Sequence, residues 1–377
     1  MSTTKPIRKA QPAPGGKPSR SMEVPDRRAP FVPPYPRSWV DHLTDWVERL
    51  PAPWWLPYMA AGLLLEAIQI FILWNGAVFD AFGLHLFQFY FPTNYILALF
   101  VMHALDRRAS TALERFRPAL HPEGASEERL LYELTTLPAR PTILAGLAGL
   151  AFGVVGILGS GASLREYPMF GLNVTPAGYA FAAATFIPTL WVWFTFIYHT
   201  IHQLRVVRRI YAQETRVDLY RLRPIYALAE LTALAAAGFA LYTYPWLEDL
   251  LNAAPVLSLG VVVLNLPFFA WPIVIFLWPL WGAHRTLVEL KEAALTEAAT
   301  RSKSLAGLLH ERIDHGQLAG IDEVHKAIMA LEAEIARLLK VPTWPWHPGT
   351  FRGLLAAVFL PLLLWVVQFG LQRLLVK

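Results

Sequence analysis

The stretch PAGYAFAAATFIPTLWVWFTFIYHTIH, residues 176–202, carries no Asp, Glu, Lys or Arg. A helix of about 20 apolar residues is long enough to cross the hydrocarbon core of a bilayer, so this stretch predicts a membrane span. The chain continues directly into the basic sequence QLRVVRR, residues 203–209. Two other apolar stretches also run into basic sequence, near His103 and near His284. These junctions predict helices that leave the membrane on one side and continue into a polar layer.

The composition of the chain is typical of a membrane protein. Of its 377 residues, 55% are hydrophobic and 16% are charged, whereas soluble domains average about 25% charged residues. Runs of about 18 or more mostly apolar residues predict spans; in this sequence they are Trp54–Trp74, Phe87–Leu105, Pro141–Leu158, Pro176–His202, Pro224–Tyr244, Pro255–Gly282 and Phe351–Leu371. We therefore expect an all-α integral membrane protein with about seven transmembrane helices.

The positions of Lys and Arg predict the orientation, because basic loops stay on the cytoplasmic side. Of the 33 basic residues, 9 precede Trp54, 6 lie in 106–140, 6 in 203–223 and 9 in 284–352. We therefore expect a plasma membrane protein with a cytoplasmic N-terminus and an external C-terminus. If the last segment were re-entrant or interfacial, the C-terminus would return to the inside.

The apolar runs divide the chain into five parts. Residues 1–37 are rich in Pro and basic residues and predict a disordered tail, and residues 38–50 predict an interfacial amphipathic helix. A six-span bundle follows in residues 51–282. Residues 283–341 predict cytoplasmic helical extensions that form a hairpin, and residues 342–377 hold a Trp- and Pro-rich linker and the seventh span.

Residues 321–338 follow a heptad pattern, which is typical of a packed helix seam. The seam residues are Ile321, Val324, Ile328, Leu331, Ile335 and Leu338. Packing within the same chain is one interpretation, and pairing between subunits of a homo-oligomer is the other.

Polar residues inside the apolar segments are candidates for function, because burying them in hydrocarbon is costly. These candidates are Glu66, Gln69, Asn94, Glu230 and Asn265. Each carboxyl should face the bundle interior, as a proton or cation site or as a protonated, hydrogen-bonded group. The sixth span also contains Pro267, Pro272 and Pro279, which predict kinks that could line a cavity or allow movement.

Four histidines should share one layer at the cytoplasmic ends of the second, fourth and sixth spans: His103, His199, His202 and His284. Imidazole can sense pH, bind metal or haem, or cap exposed helix carbonyls. Only Asp106 lies close to one of them in sequence, so we predict no metal site and no cofactor, and favour capping or pH sensing.

Several activities lack a sequence signal. The chain has no Cys, which excludes disulfides and thiolate clusters. It has no phosphate-binding loop, dinucleotide fingerprint, HExxH or GxSxG motif, and no dedicated basic and aromatic face for nucleic acid. An enzyme is therefore the less favoured class.

Two function classes remain. The first is a membrane scaffold or sensor whose cytoplasmic helices mediate assembly or partner contacts. The alternative is an ion channel or transporter with a polar route near Glu66 and the kinked sixth span. In topology alone, the chain resembles the insect olfactory and gustatory receptor-type channels. Gln368-Phe369 matches the second half of their last-span signature, and Pro361-Leu362 replaces the Thr-Tyr of the first half. The resemblance would imply subunits that assemble through cytoplasmic helices around a pore lined by the seventh span.

Overall fold

Helices dominate the computed structural model of the chain. It describes residues 31–76, 86–160, 175–253, 259–317 and 319–375, with side chains undescribed at 86–89, 156–160, 246–253, 259–269, 361–362 and 364–375. Helix accounts for 81% of the structure, and the described ranges contain no strand. The predicted all-α class is therefore confirmed for these residues. Residues 1–30 of the predicted disordered tail lie outside them.

The described residues form ten α-helices, all within the unit Pro33–Lys377. They are α1 Trp39–Glu48, α2 Leu56–Asn75, α3 Leu86–Phe116, α4 Glu127–Thr135, α5 Ala139–Ser160, α6 Pro176–Gln213, α7 Tyr226–Ala253, α8 Leu259–Asp314, α9 Ile321–Lys340 and α10 Pro348–Leu375. A 3-10 turn, Arg117–Ala119, follows α3.

The long helices pack around α3, which contacts α2, α6 and α7. Met102 on α3 is fully buried, as is Phe196 on α6. The Phe196 ring lies 5.4 Å from the ring of Tyr242 on α7, centroid to centroid. α5 packs against α6, and α8 and α10 pack against α7.

Several helices meet at one end of this bundle, which we call the charged end. Tyr58 near the start of α2 contacts His103 near the end of the apolar part of α3. Tyr211 near the end of α6 donates a hydrogen bond to the carbonyl of Ile225, just before α7. The helices therefore alternate in direction, and the basic extensions of α3 and α6 emerge together.

Three of the described helices are long and apolar enough to cross a membrane. They contain Leu56–Asn75, Pro176–Gln213 and Tyr226–Pro245, and coincide with the first, fourth and fifth predicted spans. Shorter apolar helices occur at Ala139–Val155 and Pro348–Leu360, and they overlap the third and seventh predicted spans. The count of seven transmembrane helices is thus not confirmed and stays a prediction.

Glycine brings α5 and α6 close together. A methyl group at Gly149 would overlap the backbone carbonyl of Leu190, and one at Gly153 would overlap the Leu190 side chain. The Gly149–Gly153 spacing lets the two helix backbones approach, as small residues do at helix interfaces.

The α8–α9 pair forms a helical hairpin. The turn contains Gly316 and Gly320 with φ of 65° and 81°, a left-handed backbone that favours glycine. α9 packs against α8, and its seam residues Val324 and Leu338 are buried. The heptad seam therefore has a partner within the same chain. α8 continues as one helix through Pro267, Pro272 and Pro279.

Candidate functional site

A cluster of buried polar groups lies at the charged end, between α3 and α6. α3 contributes His103 and Asp106, and α6 contributes His199, His202 and Gln203. We call these five residues the polar layer. All five are at most about one-third exposed, and His103, His199 and Gln203 are nearly inaccessible to solvent. Each must therefore find a hydrogen-bond partner inside the protein.

His103 connects α3 to the first two helices. Its Nδ1 lies 3.0 Å from the Tyr58 hydroxyl and its Nε2 lies 3.1 Å from Glu48 Oε1. Because a carboxylate only accepts, Nε2–H donates to Glu48 and Nδ1 of the neutral ring accepts from Tyr58. The hydrogen bond from His103, aided by an ion pair with Arg107, lowers the pKa of the Glu48 carboxyl.

Asp106 and His199 form the second contact. His199 Nε2 lies 2.9 Å from Asp106 Oδ1, and Gln203 Nε2 donates to the same oxygen over 3.4 Å. Burial raises the pKa of Asp106, although His199 favours the carboxylate. His199 Nδ1 is buried and has no hydrogen-bond partner among the described residues. The free-energy cost of burying this atom is smallest if Nδ1 carries a lone pair and the hydrogen is on Nε2, which faces Asp106.

His202 and Gln203 cap the end of the short helix α4. His202 Nε2 lies 3.1 Å from the Glu133 carbonyl oxygen, and Gln203 Nε2 donates to the Leu134 carbonyl over 3.1 Å. The last carbonyls of a helix have no intrahelical donor. Two side chains of α6 therefore satisfy the C-terminal end of α4.

The segment before α1 completes this contact. The Tyr35 hydroxyl donates to the Thr136 carbonyl over 2.9 Å and lies 3.3 Å from His202 Nε2. The described residues 33–37 of the predicted tail thus pack against α4 and α6, because Tyr35 can satisfy a buried carbonyl there. Buried Asp41 caps α1 with Ser38 and accepts from the Leu137 amide over 3.2 Å. Burial raises the pKa of Asp41 despite these hydrogen bonds.

A buried carboxylate lies beside the layer. Glu133 on α4 is ion-paired with Arg129 over 2.9 Å and with Arg209 of α6. Two guanidinium groups compensate the cost of burying this charge. The charged end therefore joins α1, α2, α3, α4 and α6 through polar contacts between residues far apart in sequence.

His284 does not share these contacts. Its Nδ1 lies 2.9 Å from the Thr343 carbonyl oxygen, and its ring stacks on Trp344 with centroids 3.8 Å apart. Lys291 Nζ donates to the carbonyls of Leu339 and Val341, each over 2.8 Å. These residues fasten the end of α9 and the linker onto α8, so His284 has different partners from the other three histidines.

The candidates inside the apolar segments have different surroundings. Asn94 is fully buried, and its Nδ2 donates to the Phe91 carbonyl over 3.1 Å. Gln69 is buried on α2. Both carboxyl oxygens of Glu66 are buried and have no hydrogen-bond partner among the described residues. A cavity of about 680 Å³ between α3, α7 and α10 is lined by apolar groups such as Leu97, Leu241 and Val358, and none of the three polar candidates lines it.

Glu230 differs from the expectation that it faces the bundle interior. It is exposed, and its Oε2 lies 3.4 Å from Arg115 Nη1. The reason is that α7 begins at Tyr226, at the charged end, beside the basic extension of α3. Pro272 and Pro279 are buried on α8, whereas the side chains of Asn265 and Pro267 lie outside the described part of the chain.

Sequence reasoning missed several partners of the polar layer. Glu48, Tyr58, Tyr35 and Glu133 are distant in sequence, and no spacing rule links them to the histidines. Gln203 had a signal, because it lies four residues after His199 and so on nearly the same helix face. Within the described ranges, no group of three or more His, Asp or Glu side chains could hold a metal ion.

Comparison of the chain with family models, curated proteins and solved structures finds no match. The geometry of the charged end is therefore the basis for assigning a function.

Proposed function

We propose that the chain is a multi-pass plasma membrane protein with about seven spans that acts as a sensor or scaffold. Its bundle anchors the α8–α9 hairpin in the cytoplasm, where the hairpin contacts partners. The distribution of basic residues supports this orientation, since 30 of 33 precede Trp54 or lie in 106–140, 203–223 and 284–352.

The observation that carries the proposal is the set of hydrogen-bond partners of the polar layer. His103, His199 and His202 bond to groups of α1, α3 and α4, not to an open passage. Such contacts couple helices to one another, as a scaffold or a sensor requires.

The hairpin supplies the surface for partners. The seam of α9 is taken up by α8, which favours packing within the chain. Leu308, Ile313 and Met329 are exposed apolar side chains on the hairpin. They are the candidates for contact with a partner or with a second copy of the chain.

The alternative is a channel or transporter that uses Glu66. One observation favours it: both oxygens of the Glu66 carboxyl are buried without a hydrogen-bond partner among the described residues. Burying an ionised carboxyl in this way is costly in free energy unless it binds a proton or a cation. The neighbours of Glu66 argue the other way, since among the described residues α2 packs mainly against α3 and α6.

Flux measurements separate these two classes. The full chain in liposomes should pass no Na⁺, K⁺ or protons above the level of protein-free vesicles. A flux that disappears in Glu66→Gln would establish the channel or transporter instead.

Hydrogen exchange tests the coupling. His199→Gln should change the exchange rates of α8 and α9 in lipid nanodiscs if the layer signals to the hairpin, whereas His42→Gln, at an exposed site on α1, should not. Identical exchange rates of the hairpin in His199→Gln and wild type would contradict the sensor function and leave the scaffold function as the proposal.

A further inference from the structure

Two ridges of exposed side chains run side by side where α6 packs against α8. On α6 the ridge passes from Ile201 to Arg205 and Arg208, all exposed. On α8 it consists of side chains spaced three and four residues apart, and therefore on one helix face: Trp271, Val274, Trp278 and Trp281, all exposed.

Arg208 joins the ridges. Its guanidinium carbon lies 5.6 Å from the centroid of the Trp278 ring, a cation–π contact. Trp is enriched at the membrane–water interface, and α6 changes here from exposed Ile201 to exposed Arg205 within about one helical turn. If α6 crosses the membrane as proposed, this contact lies at the level where hydrocarbon gives way to head groups.

The two arginines lack acidic partners. Neither Arg205 nor Arg208 forms an ion pair within the part of the chain that the structure describes. The next residue, Arg209, turns inward and pairs with Glu133. Two exposed cations about one helical turn apart thus lie on the outer face of α6.

We propose that Arg205, Arg208 and Trp278 form a binding site for the head group of an anionic phospholipid. The guanidinium groups bind the phosphate, and the exposed ridge of Trp271 and Val274 contacts the acyl chains. The site rests on the proposed membrane placement of α6 but not on the sensor or scaffold function.

The test measures lipid binding to the full chain in detergent by native mass spectrometry, with phosphatidylglycerol and phosphatidylcholine of matched acyl chains. Wild type should prefer phosphatidylglycerol. Because both guanidinium contacts to the phosphate are lost, Arg205→Gln/Arg208→Gln should weaken the apparent affinity for phosphatidylglycerol about tenfold or more. Arg205→Lys/Arg208→Lys should retain most of the preference.

Lys303→Gln/Arg337→Gln is the matched control. It removes two exposed charges from the hairpin and should leave the preference intact. Equal loss in the control would show that net charge alone sets binding, and full binding by the Arg205→Gln/Arg208→Gln variant would overturn the site.

Competition with inorganic phosphate distinguishes a lipid site from a site for free phosphate. Phosphate alone should not compete at the ionic strength of the assay, because it lacks the acyl chains. If phosphate displaces the lipid, the site binds free phosphate and the lipid proposal is wrong. Failure of the chain to enter lipid at all would instead contradict its membrane placement.

Discussion

His199 and His202 lie three residues apart on α6, yet they contact different helices. Three residues correspond to a rotation of about 300°, so the two side chains diverge by about 60° around the helix. That divergence directs His199 to Asp106 on α3 and His202 to the end of α4. A spacing of three residues is compatible with two histidines that bind one ligand, but here it directs each histidine to a different helix.

Asp106→Asn tests the electrostatics of this layer. Burial raises the pKa of Asp106 in the folded protein above its ordinary value of 3.8. The group therefore contributes its full stability below about pH 4, and this contribution is lost as pH rises through the raised pKa. The wild type should lose up to about 1.4 kcal/mol per pH unit in that window relative to Asp106→Asn. Thermal unfolding in detergent at a series of pH values measures the difference.

Asp314→Asn provides the control for this prediction, because Asp314 is exposed at the end of α8. Its unfolding curves should follow those of the wild type at each pH. Parallel pH profiles for the wild type and Asp106→Asn would contradict the raised pKa.

At the level of single residues, the sequence identified the histidines and the nearby Asp106, but not the partners that lie far away along the chain. Asp106 was visible because it lies near His103 in the chain. Glu48 and Tyr35 were not, because contacts between distant segments depend on how helices pack, and helical periodicity carries no information about that.

At the level of elements, the apolar runs predicted the helices well where lipid or core contact sets their pattern. α6 begins at Pro176, as expected, and continues beyond the apolar run to Gln213. It continues because Leu204, Val207 and Ile210 bury an apolar face below the last histidine. The short helix α4 had no apolar run and could not be found by the same signal.

Gly149→Ala tests the close approach of α5 and α6. The added methyl group would meet the Leu190 carbonyl, a backbone atom that cannot rotate away. Overpacking of this kind costs about 1–3 kcal/mol, which should exceed the gain of up to about 1 kcal/mol in helix propensity. Unfolding followed by circular dichroism in detergent should show net destabilisation.

Gly307→Ala is the companion variant on α8. A methyl group there would have no atom within 4 Å, so only the propensity gain remains and stability should be equal or higher. If both variants changed stability alike, the α5–α6 contact would not depend on glycine.

At the level of the whole molecule, the charge distribution makes a stronger argument than any single span. Three described helices are clear candidates to cross a membrane, and the others depend on segments that are shorter or interrupted. The basic stretches share one side only if an even number of segments crosses between each stretch and the next, as the seven-span prediction has it. The orientation and the number of spans are therefore linked predictions, and a test of one is also a test of the other.

Cysteine labelling tests orientation and span number together, since the natural chain contains no Cys. Ser304→Cys, exposed on the hairpin, should react with a membrane-impermeant maleimide only after cells are permeabilised. Ser163→Cys, in the loop predicted to be external, should react in intact cells. Lys377→Cys should also react in intact cells if the last segment crosses, whereas protection of Lys377→Cys would return the C-terminus to the inside. Labelling of Ser304→Cys in intact cells would reverse the orientation, because it would place the hairpin and its 9 neighbouring basic residues outside.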